Sequence, residues 1–163
     1  MPTIRDARPK DADAIAAIWN PVILSSVATF NEVPRGADEV RAMMAGRAAD
    51  GHPWLVAEAE GRLAGFATYA QFRSGVGYAH TMEHTIILAE GATGKGLGPR
   101  LLGRLVGIAR ASGVHSLVAA VSGENPAAVA FHEREGFRIV GRIPEAGRKF
   151  ERWFDLVLLQ RLL

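Results

Sequence analysis

The stretch that decides the fold of this chain, residues 86–102, reads Ile86-Ile87-Leu88-Ala89-Glu90-Gly91-Ala92-Thr93-Gly94-Lys95-Gly96-Leu97-Gly98-Pro99-Arg100-Leu101-Leu102. Its apolar, β-branched start is typical of a buried strand, and the apolar spacing from Leu101 to Ile108 predicts an amphipathic helix. Three glycines at alternate positions separate the two elements, and Pro99 suits a first helical turn. Unpaired N–H groups and the helix dipole both attract an anion to a helix N-terminus. The stretch therefore predicts a site for a phosphate-bearing ligand.

Two common phosphate-binding patterns do not fit this loop. A nucleoside-triphosphate loop requires Gly-Lys followed by Ser or Thr, and no lysine of this chain precedes either residue. A dinucleotide loop has the spacing Gly-x-Gly-x-x-Gly in an all-parallel unit, which differs from the spacing of Gly94, Gly96 and Gly98. A glycine-rich turn that binds no ligand is the remaining alternative.

The loop resembles the pyrophosphate loop of the GNAT superfamily of acyl-CoA N-acyltransferases, usually written Arg/Gln-x-x-Gly-x-Gly/Ala. Gly96 and Gly98 take the glycine positions, and Thr93 stands at the Arg/Gln position. Residues 125–137 are similar to the GNAT segment in which an Asn opens a helix that ends in Gly-Phe, with His132 where Tyr is common. The resemblance implies that acetyl-CoA is the co-substrate. It implies contacts from Ile86, Ile87, Leu88, Thr93, Gly94, Lys95, Gly96, Leu97, Gly98, Pro99 and Asn125.

A closer resemblance covers almost the whole chain. Residues 18–20, 25–30, 81–88, 147–150 and 152–155 look like the phosphinothricin acetyltransferase group, which includes the methionine sulfoximine and methionine sulfone acetyltransferases. The triplet Glu83-His84-Thr85 is the most specific match. The resemblance implies direct transfer, in a ternary complex, to the amine of a small amino-acid-like acceptor, and it implies a homodimer. The implied acceptor contacts are Phe30, Arg73, Val76, Gly77, Tyr78, Glu83 and Lys149.

Alternation along the strand at residues 81–88 places Glu83 and His84 on opposite faces. We predict Glu83 as the general base, acting directly or through a water, because a partly dry cleft raises a carboxyl pKa. The alternative is a carboxylate that orients the acceptor ammonium. His84 is a rival base, although such a histidine is more often a core group. His132 is predicted to protonate the thiolate or orient the thioester, with helix packing as the alternative. Backbone N–H groups near Leu88 are predicted to polarise the thioester carbonyl.

Composition excludes several classes of protein. The chain has 163 residues, of which 48% are hydrophobic, and a mean hydropathy of +0.08, which predicts one compact domain over residues 1–163. The net charge is +2 and the basic residues are scattered, which argues against a nucleic-acid partner. There is no cysteine, and the five histidines lack ligand spacing, so we expect no metal. No apolar run predicts a membrane span or a signal core, so we expect a cytoplasmic protein.

The order of predicted elements indicates an α/β fold with a mixed, mostly antiparallel sheet and helices on both faces. We predict strands near residues 3–7, 54–58, 63–70, 81–88, 116–121, 138–142 and 153–159. Helices are predicted over residues 11–19 with Asp11 as the N-cap, 37–49, from the glycine loop to about 111, and 126–135. Residues 21–34 are predicted to be irregular or partly extended. This order matches the GNAT fold.

Two functional alternatives stay open. A related enzyme of the same fold acetylates another small amine, an aminoglycoside or a protein N-terminus. A non-enzymatic protein keeps the loop as an acyl-CoA sensor without a productive acceptor site. The match at Glu83, at Trp19-Asn20 and at Phe30 argues against the sensor.

Overall fold

Seven strands and four α-helices make up the protein in a computed structural model that describes residues 1–163. The strands are β1 Thr3–Asp6, β2 Trp54–Ala59, β3 Arg62–Gln71, β4 Thr81–Leu88, β5 Ser116–Ser122, β6 Arg138–Lys149 and β7 Arg152–Leu162. The helices are α1 Ala12–Ser25, α2 Ala37–Ala49, α3 Leu97–Ala111 and α4 Pro126–Arg134. The strand order is β1-β2-β3-β4-β5-β7-β6. β4 pairs with β5 in parallel, whereas β1–β2, β2–β3, β5–β7 and β6–β7 are antiparallel, which confirms the mixed, mostly antiparallel sheet.

The chain divides into two compact units, and the first comprises residues 1–20, 35–70 and 84–113. Its β2–β3 hairpin turns at Glu60 and Gly61, which both have positive φ, as a type I′ hairpin turn requires. Trp19, Trp54 and Phe66 pack their rings against one another in its core. The unit also contains the end of β4 and the whole of α3, so the glycine loop lies within it.

The second unit comprises residues 21–34, 71–83 and 114–163. The beginning of β4 pairs here with β5, from Thr81–Ser116 to Glu83–Val118. β5 pairs in turn with β7, and β7 with β6. Asn125 caps α4, since its side chain accepts a hydrogen bond from the Ala128 N–H at 3.2 Å. The predicted cap is confirmed, whereas a single domain over residues 1–163 stays a prediction.

The start and the end of α1 differ from the prediction. Asp11 is not its N-cap: it ends a short 3-10 turn, Pro9–Asp11, and accepts hydrogen bonds from the Arg5 guanidinium and the Arg8 N–H. The helix continues through Pro21 to Ser25, so the predicted irregular segment begins too early. Proline inside a helix costs about 3 kcal/mol. Ile23, which is fully buried beyond the proline, supplies packing that offsets this cost.

The strand predicted at residues 138–142 is also too short. β6 runs to Lys149, with register shifts between Ile139 and Gly141 and between Ile143 and Gly147. Such bulges interrupt the two-residue alternation from which a strand is predicted. The predicted bounds of α2 and of β4 are confirmed to the residue.

Candidate active site

The loop between β4 and α3 has the backbone that its glycines predict. Gly94 and Gly96 have φ of +79° and +73°, a region that side chains rarely adopt, and an added Cβ would meet open space at both. Gly96 is the N-cap of α3, and no side chain caps the first-turn N–H groups. Gly98 was predicted to lie in the loop, whereas in the structure it is buried within the first turn of α3. The helix N-terminus is therefore open to an anion on the solvent side.

Thr93 and Lys95 are both exposed in this loop. We expect Thr93→Arg to tighten the binding of acetyl-CoA by about 1 kcal/mol, because a guanidinium adds a charge-assisted donor for the diphosphate. Calorimetric titration of wild type and variant measures the difference. Ala111→Arg, which adds the same charge at the exposed far end of α3, is the control and leaves the affinity unchanged. Equal affinities for Thr93→Arg and wild type would contradict this interpretation of the position.

The end of β4 is held against a glycine of β3. A Cβ added to Gly65 would lie 2.7 Å from Leu88 Cδ2 and 2.9 Å from the Ile87 carbonyl oxygen. The Ala89 N–H donates to the Ala64 carbonyl at 2.9 Å beside this contact. Gly65 therefore lets the two backbones approach at the end of β4, beside the backbone N–H groups near Leu88 that are predicted to polarise the thioester carbonyl.

We expect Gly65→Ala to lower kcat by about tenfold to a hundredfold, because displacement of a preorganised carbonyl-polarising donor costs rate rather than binding. Gly36→Ala is the control, since φ at Gly36 is −80° and its Cβ would meet nothing within 4 Å. Initial rates at saturating substrates provide the measurement. A Gly65→Ala enzyme with wild-type kcat would remove the end of β4 from the reaction centre.

Glu83 lies on the more open face of β4. Met82 and His84, its neighbours along the strand, are 4% and 6% exposed, whereas Glu83 and Thr85 are only partly buried. Burial raises the pKa of the Glu83 carboxyl above its ordinary value. A carboxyl with a raised pKa, within reach of solvent, suits a general base at neutral pH. His84 lies on the buried face of β4, which is typical of a histidine in the core.

His132 is buried on α4 between two aromatic rings. Its Nδ1 lies 2.7 Å from the Ala128 carbonyl oxygen, and since a carbonyl only accepts, Nδ1 carries the proton. The rings of Phe131 and Phe137 contact the imidazole edge-on, and burial lowers the pKa of His132. A neutral imidazole with its proton on Nδ1 accepts at Nε2. The carbonyl oxygen and the sulfur of a thioester are also acceptors, so Nε2 in this tautomer cannot bond to them, and the arrangement favours the helix-packing alternative.

The predicted acceptor loop is exposed. Val76 is 93% exposed and Tyr78 41%, in the short 3-10 helix Val76–Tyr78 that also contains Gly77. The Arg73 guanidinium lies 5.6 Å from the centre of the Tyr78 ring. Gln71 Nε2 donates to the carbonyls of Arg73 and Gly75, at 2.7 Å each, and so fixes the loop from within. Arg73 is thus an exposed cation beside the Tyr78 ring, and its contact with an acceptor anion stays a prediction.

Lys149 has surroundings that do not fit the predicted contact with an acceptor anion. It is 1% exposed, and its Nζ donates to the carbonyls of Ser26 at 2.7 Å and Thr29 at 2.8 Å. Phe30, by contrast, is partly exposed, and its ring stacks on Phe154 with centroids 5.7 Å apart. Phe30 therefore keeps a surface for an acceptor, whereas the Lys149 ammonium is already bonded within the chain.

Two glycines that were not among the predicted site residues have close neighbours. Gly65 lies against β4, and a Cβ added to Gly147 would overlap the Phe30 ring at Cδ2. Both are glycines within strands, which is the available sequence signal for a close approach.

The acceptor candidates all belong to the second unit. The candidate contacts for acetyl-CoA belong to the first unit, apart from Asn125. The structure contains no group of three or more His, Cys, Asp or Glu that could hold a metal ion. None of its helices has the length and apolar character needed to cross a membrane.

Comparison with known proteins places these features in a family. A model of the acetyltransferase (GNAT) domain matches residues 4–158. The L-methionine sulfoximine/L-methionine sulfone acetyltransferase of Pseudomonas paraeruginosa is 40% identical over 97% of this chain and 92% of its own length. The crystal structure of a ribosomal-protein-alanine N-acetyltransferase from Brucella melitensis is 37% identical, with a TM-score of 0.96 over 99% of each chain. That of a phosphinothricin acetyltransferase from Sinorhizobium meliloti in complex with acetyl-CoA is 34% identical, with a TM-score of 0.95 over 99% of this chain and 88% of that one.

The chain belongs to the GNAT acetyltransferase family. The predicted fold and the predicted resemblance to the methionine sulfoximine and phosphinothricin acetyltransferases are confirmed. The roles assigned to individual residues stay predictions.

Proposed function

We propose that this protein transfers the acetyl group of acetyl-CoA directly to the free α-amine of a small amino-acid-like acceptor, in a ternary complex. The observation that carries the proposal is β4, one strand that presents the partly buried Glu83 carboxyl and ends at Leu88, before the glycine loop. The chain has no cysteine to serve as a thiolate acyl carrier, which favours direct transfer over an acylated enzyme. The acetyl-CoA complex of the Sinorhizobium relative supports the co-substrate.

In the proposed mechanism the acceptor ammonium first gives a proton to Glu83, directly or through a water. The neutral amine then attacks the thioester carbonyl carbon, and backbone N–H groups near Leu88 stabilise the developing oxyanion. Collapse of this intermediate forms the amide bond and breaks the C–S bond. The thiolate takes up the proton that the amine nitrogen loses. We place the CoA diphosphate on the loop residues 93–99.

We propose methionine sulfoximine, methionine sulfone and phosphinothricin as the first acceptors. Each is an amino acid with a compact polar group on a short side chain. Phe30 offers an apolar wall, and Arg73 offers a cation for an anionic oxygen. The names of the Pseudomonas and Sinorhizobium relatives support this class. The name of the Brucella structure makes a protein N-terminal alanine the second candidate acceptor.

An assay of thiol release from acetyl-CoA across a panel of amines tests the proposal. The panel contains the three amino acids, an alanine-terminal peptide, an aminoglycoside and a buffer control. We expect rates above the control for the amino acids, with kcat/KM at least tenfold higher than for the peptide. A higher value for the peptide would assign the protein to N-terminal acetylation. Tight binding of acetyl-CoA with no release for any amine would identify a sensor.

We further infer a cytoplasmic homodimer, with the face of β6 as the contact. Ile139, Val140 and Ile143 are each about half exposed there, because the bulge after Ile139 lets neighbouring apolar residues point outward together. A cleft of about 270 Å³ beside them is lined by Val129, Ala130, Ile139 and Val157, among others. Light scattering should give twice the chain mass for wild type and a monomer for Val140→Glu. A monomeric wild type would contradict the assignment.

A further inference from the structure

The segment that carries Phe30, residues 26–34, follows the end of α1 and contains no helix or strand. Its local hydrogen bonds are short-range: Ser26 Oγ accepts from the Ala28 N–H, and the Asn31 side chain bonds to Val33. A loop with so little internal structure does not hold an aromatic wall in one place by itself. Its position therefore depends on what it is bonded to elsewhere in the second unit.

Lys149 provides one such attachment. The end of β6 buries this charged residue almost completely, which is rare for lysine and costly unless the ammonium is well bonded. Its Nζ donates to the carbonyls of Ser26 and Thr29, and lies 5.0 Å from the centre of the Phe150 ring. The two carbonyls lie on either side of the turn before Phe30. The Lys149 ammonium thus links the two ends of this turn.

The β6–β7 turn provides a second attachment. Phe150 and Glu151 both have positive φ, of 51° and 60°, an unfavourable conformation for residues with side chains. In this conformation the Phe150 N–H donates to Glu32 Oε1 at 2.9 Å. The loop is therefore bonded to the hairpin both before and after Phe30.

Gly147 completes the arrangement. The Phe30 ring lies directly over this glycine, since an added Cβ would overlap the ring atoms Cδ2 and Cε2. The same ring stacks on the buried Phe154. Only a residue without a side chain leaves room for the ring at this depth.

We propose that Lys149 and Gly147 are positioning residues that hold Phe30 as the wall of the acceptor site, and thereby determine which acceptor side chains fit. Lys149 acts through the Ser26 and Thr29 carbonyls and does not contact the acceptor anion. This inference rests on the proposed function, because it takes Phe30 as part of the acceptor site.

The first test is Lys149→Met, which keeps the apolar stem and removes the ammonium. We expect KM for methionine sulfone to rise about tenfold, since two hydrogen bonds from a charged group are lost, with KM for acetyl-CoA unchanged. Gly147→Ala, which keeps the ammonium and displaces the ring, should raise the same KM. An unchanged acceptor KM in a folded Lys149→Met enzyme would overturn the proposal, and Gly147→Ala serves if Lys149→Met does not fold.

A second comparison separates positioning from direct contact. If Lys149 acts only through Phe30, Lys149→Met has no further effect on acceptor KM in the Phe30→Ala background, and the preference for methionine sulfone over its carboxamide is unchanged. If Lys149 binds the acceptor carboxylate, the preference for the carboxylate collapses and the two substitutions add. A lost preference for the carboxylate, or additive effects of the two substitutions, would overturn the proposal.

A measurement without substrate keeps this inference distinct from the proposed function. Hydrogen exchange of residues 26–32 should accelerate in Lys149→Met by about tenfold or more, with α3 unaffected. Unchanged exchange there would overturn the attachment itself. A wild-type enzyme that acetylates none of the amines would instead refute the proposed function, whatever the exchange shows.

Discussion

Glu83→Gln should lower kcat by about 10²–10⁴-fold while leaving acetyl-CoA affinity close to that of wild type. The amide is nearly isosteric with the carboxyl but cannot take the proton of the acceptor ammonium. The loss should shrink at high pH, where more of the acceptor amine is already neutral. The measurement is kcat/KM against pH for both enzymes with one amino-acid acceptor. A parallel reduction at every pH would favour the orienting role, and wild-type turnover would remove Glu83 from the mechanism.

Glu83→Gln should lower kcat but raise the stability of the folded protein at neutral pH. Burial raises the pKa of Glu83 in the folded state above that of the unfolded chain. The stability that this carboxyl contributes is therefore present at pH values below its unfolded pKa and is lost as pH rises through its folded pKa. We expect Glu83→Gln to raise the Tm at neutral pH and to lose that advantage in acid. A Tm difference independent of pH would contradict the raised pKa.

Gly96→Val should abolish the thermal stabilisation by acetyl-CoA. A ligand at a hundred times its Kd stabilises the native state by about 2.7 kcal/mol, which is visible as a rise in Tm. Valine at a φ of +73° forces the loop out of shape, and its side chain occupies the space from which we propose that the diphosphate approaches. The Tm difference with and without acetyl-CoA should therefore fall to zero.

Gly51→Val is the matched control for this loss. Gly51 has a φ of +74° and equally open surroundings, but it lies at the end of α2. Both variants lose intrinsic stability through backbone strain, whereas only Gly96→Val should lose the response to the ligand. A normal response in Gly96→Val would place the diphosphate elsewhere.

Much of the fold could be predicted because local signals are strong there. β4 is an apolar, β-branched run that ends before the glycine loop, and α2 lies between Gly36 and Asp50-Gly51. The predicted bounds of both elements agree with the structure. The predicted end of α1 before Pro21 and the predicted end of β6 at residue 142 were wrong, because distant packing and bulges outweigh local propensity. The position of Lys149 could not be predicted, since its bond to Ser26 spans 123 positions of the chain. Composition rules place lysine on the surface, and no local pattern indicates burial.

The proposed direct transfer of the acetyl group is tested most directly with a carbon label. Acetyl-CoA labelled in the acetyl group is incubated with the enzyme and methionine sulfone, and product, free thiol and protein are each measured. We expect the label on the α-amine of the acceptor, in amounts equal to the thiol released, with none on the protein. Labelled protein that passes its acetyl group to the acceptor would contradict direct transfer, and thiol release without the N-acetyl product would contradict the proposed reaction.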